Sequence, residues 1–140
     1  MLKTTIIHPE LLQALAEGGH GARVLIADGN YPVTVKSNPR ARIVYLNFVP
    51  GTVYGVDTVR AVVGTIPIES ALYMVPSDGA MPEIVREYHA LIGADIPLES
   101  RDRFGFYEEA ASVDTHLVIA TGERRPYANL LLTLGVVKPQ

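Results

Sequence analysis

The sequence predicts a three-layer α/β/α domain built on a mostly parallel sheet. Helix-like and strand-like patterns alternate along the chain, the signature of layered α/β packing. The clearest strand candidate, Val24-Leu25-Ile26-Ala27, is a continuous apolar run, as expected of a strand covered on both faces. The 140 residues carry no internal repeat and no linker, so residues 1–140 read as one domain with one core.

Each element has its own local justification. Pro9 suits the first turn of a helix, where its missing N–H costs nothing. Leu12, Leu15 and Ala16 then share a face, and Gly18 and Gly19 stop the helix. The strand ending at Asp28 follows, then a loop at Asp28-Gly29-Asn30-Tyr31-Pro32. Arg42 to Val49 reads as a strand broken by Pro50-Gly51. Asp57 is placed to cap a short helix through Val59, Val62 and Val63, ending near Gly64. Ala71 to Val75 is the next strand. Ile84, Val85, Tyr88, Leu91 and Ile92 fall at helical spacing between Pro82 and Gly93. A helix from Arg103 to Ala111, a strand from Leu117 to Thr121 and a last strand from Leu130 to Val137, interrupted near Gly135, complete the chain.

Composition narrows the function classes. The net charge of -3 comes with no basic patch, so no nucleic-acid partner is expected. Cysteine is absent, which removes disulfide, thiolate and zinc-thiolate chemistry. No apolar run approaches membrane-spanning length and no secretory leader pattern is seen, so the expectation is a soluble, cytoplasmic protein without a membrane partner. Charged residues make up 19% of the chain, below the roughly 25% of an average domain. That deficit points to surface buried against other copies of the chain.

The residue that speaks most directly to chemistry is His20, set between Gly19 and Gly21 after the first helix. An imidazole, with an unperturbed pKa of about 6.5, both gives and takes a proton near neutral pH. The four histidines, His8, His20, His89 and His116, lack the close spacings that place two imidazoles on one metal ion; His8 reads as local structure and His89 as structural or solvated. Gly19-His20-Gly21 is no dinucleotide loop, since the third glycine is missing and the order is helix then strand. No Gly-x-Ser-x-Gly nucleophile motif occurs.

Glu10-Leu11-Leu12, Gly19-His20-Gly21, Ala27-Asp28, Arg103-Phe104-Gly105-Phe106-Tyr107-Glu108, Thr121-Gly122-Glu123 and Tyr127-Ala128-Asn129, in that order, resemble the L-fucose mutarotase and D-ribose pyranase family. The likeness covers both ends of the chain and is weak in the middle. It implies a cofactor-free and metal-free sugar mutarotase, an isomerase of a monosaccharide substrate, with an α/β fold in a ring-like homo-oligomer, a decamer. It further implies that His20 is the catalytic proton donor and that Asp28, Arg103, Tyr127 and Asn129 bind the sugar, together with the Ala128 backbone. Arg103-Phe104 and Phe106-Tyr107-Glu108 resemble the fucose branch, whereas Ala128 resembles the ribose-type triplet. L-fucose or a related monosaccharide is therefore favoured, with pyranose–furanose exchange of D-ribose as the alternative.

One departure accompanies the likeness. The segment 33–60 lacks the Arg-Ala-Asp-Gly run of many fucose-type members, and Asn47 or Asp57 is a loose substitute for its aspartate. Tyr107 fits either the core or a pocket wall. A non-catalytic sugar-binding or transport-accessory protein would use the same residues but would not depend on proton transfer by His20.

Geometry adds a constraint that is independent of the resemblance. If the eight steps from His20 to Asp28 were extended, their Cα atoms would stand roughly 26 Å apart, more than one sugar bridges. Either the histidine loop folds back or two copies of the chain meet at the site.

Overall fold

Ten elements follow one another in the structure, a computed structural model describing residues 1–140: α1 (Pro9–Glu17), β1 (Arg23–Ala27), β2 (Arg42–Tyr45), α2 (Gly55–Val63), β3 (Ile68–Met74), α3 (Glu83–Ile92), β4 (Leu98–Arg101), α4 (Arg103–Ala110), β5 (Thr115–Ala120) and β6 (Leu130–Leu134). The six strands form one sheet in the order β2-β5-β1-β6-β3-β4. β1 and β2 each pair parallel to β5, and β3 pairs parallel to β4. Only β6 runs against its neighbours, β1 and β3. The mostly parallel sheet expected from the apolar runs is present, with its last strand reversed.

Strand pleating sends alternate side chains to two cores. Val24 and Ile26 of β1, Leu117 and Ile119 of β5, and Leu130 and Leu132 of β6 pack under α1, α2 and α3. Leu25 and Ala27, Val118 and Leu131 face the other way, against Phe106 and Ala110 of α4 and Tyr31. Helices thus cover both faces, three on one and one on the other.

α1 begins as expected, with Pro9 in its first turn and His8 capping it; the His8 Nδ1 accepts from the Leu11 N–H at 3.2 Å. Its buried face is Leu11, Ala14 and Leu15, so the expected face of Leu12, Leu15 and Ala16 is off by one position, and Ala16 is exposed. Gly18 ends the helix where a Cβ would stand 2.8 Å from the His116 ring, which packs there within 3.0 Å of the Ala14 carbonyl oxygen. His116 and His89 both bond backbone carbonyls, which fits the structural or solvated role expected for His89.

Two further expectations need correction, and one strand was not anticipated. The strand from Arg42 stops at Tyr45: the Leu46 N–H makes a last bond to the Ala120 carbonyl at 2.8 Å, and the chain beyond it leaves the sheet edge and exposes Phe48. Asp57 does not cap α2: the helix starts two residues earlier, and Asp57 pairs with Arg60 at 3.0 Å on the surface. The strand β4 has no counterpart in the sequence reading; it is an edge strand in which Glu99, Ser100 and Arg101 are exposed.

Candidate active site

In parallel sheets the C-terminal ends of strands open onto loops that can gather polar groups, and ligands bind there. Asp28 sits at that edge, one residue after β1, and is buried. Its carboxylate accepts the Asn30 N–H at 2.9 Å through one oxygen and the Ala128 N–H at 3.2 Å through the other. Its own N–H donates to Asn129 Oδ1 at 2.8 Å. Because β6 is reversed, the residues that precede it arrive at the same edge. Tyr127, Ala128 and Asn129 therefore lie beside Asp28 although a hundred residues separate them in sequence.

Tyr127 holds a left-handed backbone, with φ of 57°, unusual for a bulky residue and costly by about 1–3 kcal/mol. That turn aims its side chain into the cavity while Ala128 faces inward. Ala128 is buried, and its carbonyl accepts the Tyr88 hydroxyl at 3.0 Å. Both of its backbone polar groups are thus engaged by the protein.

Arg103 comes from the start of α4, whose N-cap Asp102 accepts the Gly105 N–H at 2.8 Å. The exposed guanidinium donates through Nε to the Tyr107 hydroxyl at 3.1 Å and lies over the Phe104 and Tyr107 rings. Tyr107 is edge-on to Tyr31. The aromatic left open by the sequence thus walls the cavity and steadies the arginine.

Asp28, Arg103, Tyr127 and Asn129 line one cavity of about 240 Å³. Ligand clefts commonly run to roughly 300–1,000 Å³, so this one suits a small, single-ring ligand. Asn30, Tyr31, Met74, Pro126 and Tyr107 complete the lining. Met74 carried no local signal, because its place depends on β3 ending at the same edge. Asn30 and Tyr31 follow from the turn after Asp28.

His20 is not in this cavity. It lies before β1, at the opposite edge of the sheet, where the Gly21 N–H donates to the Leu134 carbonyl at the far end of β6. Gly21 adopts φ of +84°, which turns the chain into β1 and holds the histidine loop away from Asp28. The His20 ring is largely exposed, with Nε2 2.9 Å from Glu69 Oε2. The loop does not fold back.

Glu123 is buried outside the cavity. One of its carboxylate oxygens accepts from Gly55 N–H and the other from Arg125, while its carbonyl accepts the Gly29 N–H at 2.9 Å. It ties the start of α2 to the turn that carries Asp28. Asn47 lines an adjoining cavity that shares Asn30, and Asp57 lines neither.

Burial pushes the Asp28 carboxyl above its ordinary 3.8, against the opposing pull of the N–H groups of Asn30, Ala128 and Tyr31 and the Asn129 amide. Asp28 therefore binds its proton more tightly in the folded than in the unfolded chain. Its contribution to stability declines as pH rises from 3.8 through the raised folded value. Glu123 acts in the opposite sense: burial raises it, but the Arg125 and Gly55 hydrogen bonds prevail and hold it below 4.5. Its stabilisation is present above 4.5 and lost as pH falls through the lowered value. Urea unfolding of wild type and Asp28→Asn over this acidic range should show the variant lacking the decline due to Asp28. Parallel curves would remove the assignment.

A family match spans residues 1–137 and carries the description RbsD / FucU transport protein family. The chain belongs to that family. It is 33% identical over 153 residues to the fucose mutarotase of Danio rerio, covering 97% of this chain and 93% of that one. The fucose mutarotase of Streptococcus pneumoniae, solved in complex with L-fucose, has a similar fold: TM-score 0.82, 28% identity, 99% of this chain and 100% of that one covered. Bacillus subtilis RbsD complexed with D-ribose superposes with a TM-score of 0.85 at 25% identity, covering 99% of this chain and 100% of that one. The family resemblance read from the ordered motifs is borne out by this match, whose span takes in the middle segment as well.

Proposed function

We propose that this protein is a cofactor-independent sugar mutarotase that interconverts the α and β anomers of L-fucose or a related monosaccharide. Asp28, Arg103, Tyr127 and Asn129 hold the sugar, Ala128 fixes the carboxylate beneath it, and His20 is the proton donor. The observation that carries this reading is the convergence of those four side chains on one single-ring cavity by two remote segments and a helix start. The relatives named as fucose mutarotases supply the reaction class.

The chemistry asks little of the protein. The ring oxygen takes a proton from the His20 imidazolium as its bond to C1 breaks. The anomeric hydroxyl gives its proton to water as the carbonyl forms. Rotation about the C1–C2 bond presents the other carbonyl face, and the reverse steps close the ring. Arg103 is a donor without an acceptor and cannot shuttle the proton, so it orients the sugar through an oxygen at a fixed place.

His20 stands at the opposite edge of the sheet from the cavity, so the proton donor is supplied by a second copy of the chain. We place the protein in the cytoplasm as a ring-like homo-oligomer, a decamer. Exposed apolar side chains at Val35, Phe48, Phe104 and Val113, together with the low charged fraction, support such an assembly.

The test is anomer exchange followed by NMR with L-fucose and D-ribose. Wild type should accelerate L-fucose exchange more strongly. Arg103→His should weaken fucose turnover mainly through binding, leaving the His20 chemistry to a smaller sugar. A clear wild-type preference for D-ribose would replace this reading with the pyranase one, toward which the fold match to the ribose-bound protein points.

A further inference from the structure

We propose that Glu69 is a positioning residue for His20: it grips the imidazole at Nε2 and so makes Nδ1 the atom that exchanges protons with the sugar. The inference rests on the mutarotase reading of the site and assigns a residue outside the sugar cavity.

The pair is built by the sheet. β1 and β3 flank β6, and all three are fastened together at the edge that carries His20. The Gly21 N–H donates to the Leu134 carbonyl at 3.0 Å, and the Leu134 N–H to the Ala22 carbonyl at 2.9 Å. On the other side of β6, Ile68 pairs with Leu134, and the Gly135 N–H donates to the Pro67 carbonyl at 2.9 Å. His20 and Glu69 therefore project from backbone fixed on either side of the end of β6. At Gly135 no side chain intervenes; even a Cβ there would stand 3.4 Å from the Cβ of Glu69. The imidazole Nε2 and the Glu69 Oε2 meet at 2.9 Å, and His20 is the one side chain with which Glu69 forms an ion pair.

The chemistry of the contact selects the nitrogen. An ionised carboxylate only accepts hydrogen bonds, so Nε2 carries its hydrogen in both protonation states of the ring. Nδ1 is then the nitrogen that is bare in the neutral ring and protonated in the imidazolium. An exposed ion pair contributes little stability, so the value of this one lies in orientation. Between Gly19 and Gly21 an unheld ring would rotate freely and present either nitrogen. Glu69 belongs to the chain that carries His20, so the oriented ring travels as a unit to the cavity of a second copy.

The experiment uses the full chain with Glu69→Ala and Glu69→Gln. Glu69→Ala should lower kcat for L-fucose exchange by about tenfold, the scale on which the loss of a partner orienting an imidazole is felt, with KM within about twofold. Glu69→Gln keeps an accepting oxygen and should recover most of the rate. Nitrogen-15 spectra of the neutral His20 ring should show the Nε2–H form in wild type and a mixture of forms in Glu69→Ala. A wild-type kcat in Glu69→Ala, or a raised KM at unchanged kcat, would overturn the proposal; the latter would mean that Glu69 touches the sugar. An active wild type with an indifferent Glu69→Ala fails this proposal alone. A wild type without any acceleration fails the mutarotase reading and the role of Glu69 with it.

Discussion

Replacing His20 with Gln is expected to leave a folded, assembled protein whose acceleration of anomer exchange falls by about 10²-fold or more. The fold should survive because the side chain is largely exposed and makes one side-chain hydrogen bond, to Glu69. Glutamine preserves the size and the hydrogen bond but carries no exchangeable proton at a pKa useful near neutrality. Sugar affinity should change little, since the cavity lining is untouched. The rates come from NMR exchange with L-fucose, and circular dichroism and sedimentation report on the fold and assembly. A variant as fast as an accelerating wild type would remove His20 as the proton donor, and two proteins equally without acceleration would return the chain to a binding module that needs hydrogen bonds alone.

How far the sequence revealed this structure depended on whether each cause was local. α1 and α3 were legible because periodicity, Pro9 and the glycines that follow them act within a few residues. α2 was misplaced because its first turn is served from far away: the Gly55 N–H donates to the Glu123 carboxylate, and no local pattern around Asp57 could announce that. β4 was missed because an edge strand with one partner needs no apolar face, and Leu98 is its one half-buried residue. Leu46 to Val49 looks like strand by composition, yet the chain leaves the sheet after the Leu46 N–H bonds the Ala120 carbonyl, and Phe48 is in the open.

The site divides in the same way. The ordered motifs single out Asp28, Arg103 and the 127–129 triplet as candidates, and the structure brings Tyr127 and Asn129 to Asp28 because β6 runs backwards. An all-apolar strand such as Leu130–Leu134 does not encode its direction, so this convergence could not be derived from patterning alone. The separation of His20 from Asp28 was legible, since β1 between them has a fixed rise per residue. Tyr107 was ambiguous because an aromatic on a helix facing both core and solvent satisfies either role, and here it packs on Tyr31 while bonding Arg103.

That separation yields the most decisive expected result. Asp28→Asn should also be inactive or nearly so: the amide replaces a carboxylate oxygen that accepts a backbone N–H with a donor, leaving one buried N–H unpaired. The cost should be about 1–3 kcal/mol, which a folded domain tolerates. Now let the Asp28→Asn and His20→Gln chains assemble together from a common unfolded pool. A site that takes its cavity from one chain and its histidine from another is intact when the first chain has Asp28 and the second has His20. Random mixing at equal ratio then makes about one site in four competent, so two nearly inactive proteins should regain roughly a quarter of wild-type activity. Sites completed within a single chain would regain nothing, because every chain in the mixture carries one lesion. Sedimentation of the same mixture checks that both variants entered the assembly. No recovery in a verified mixture, or a stable wild-type monomer with full activity, would sink the shared site. In either case His20 would have to reach the cavity of its own chain, against the Gly21 turn and the length of β1 that hold it at the far edge.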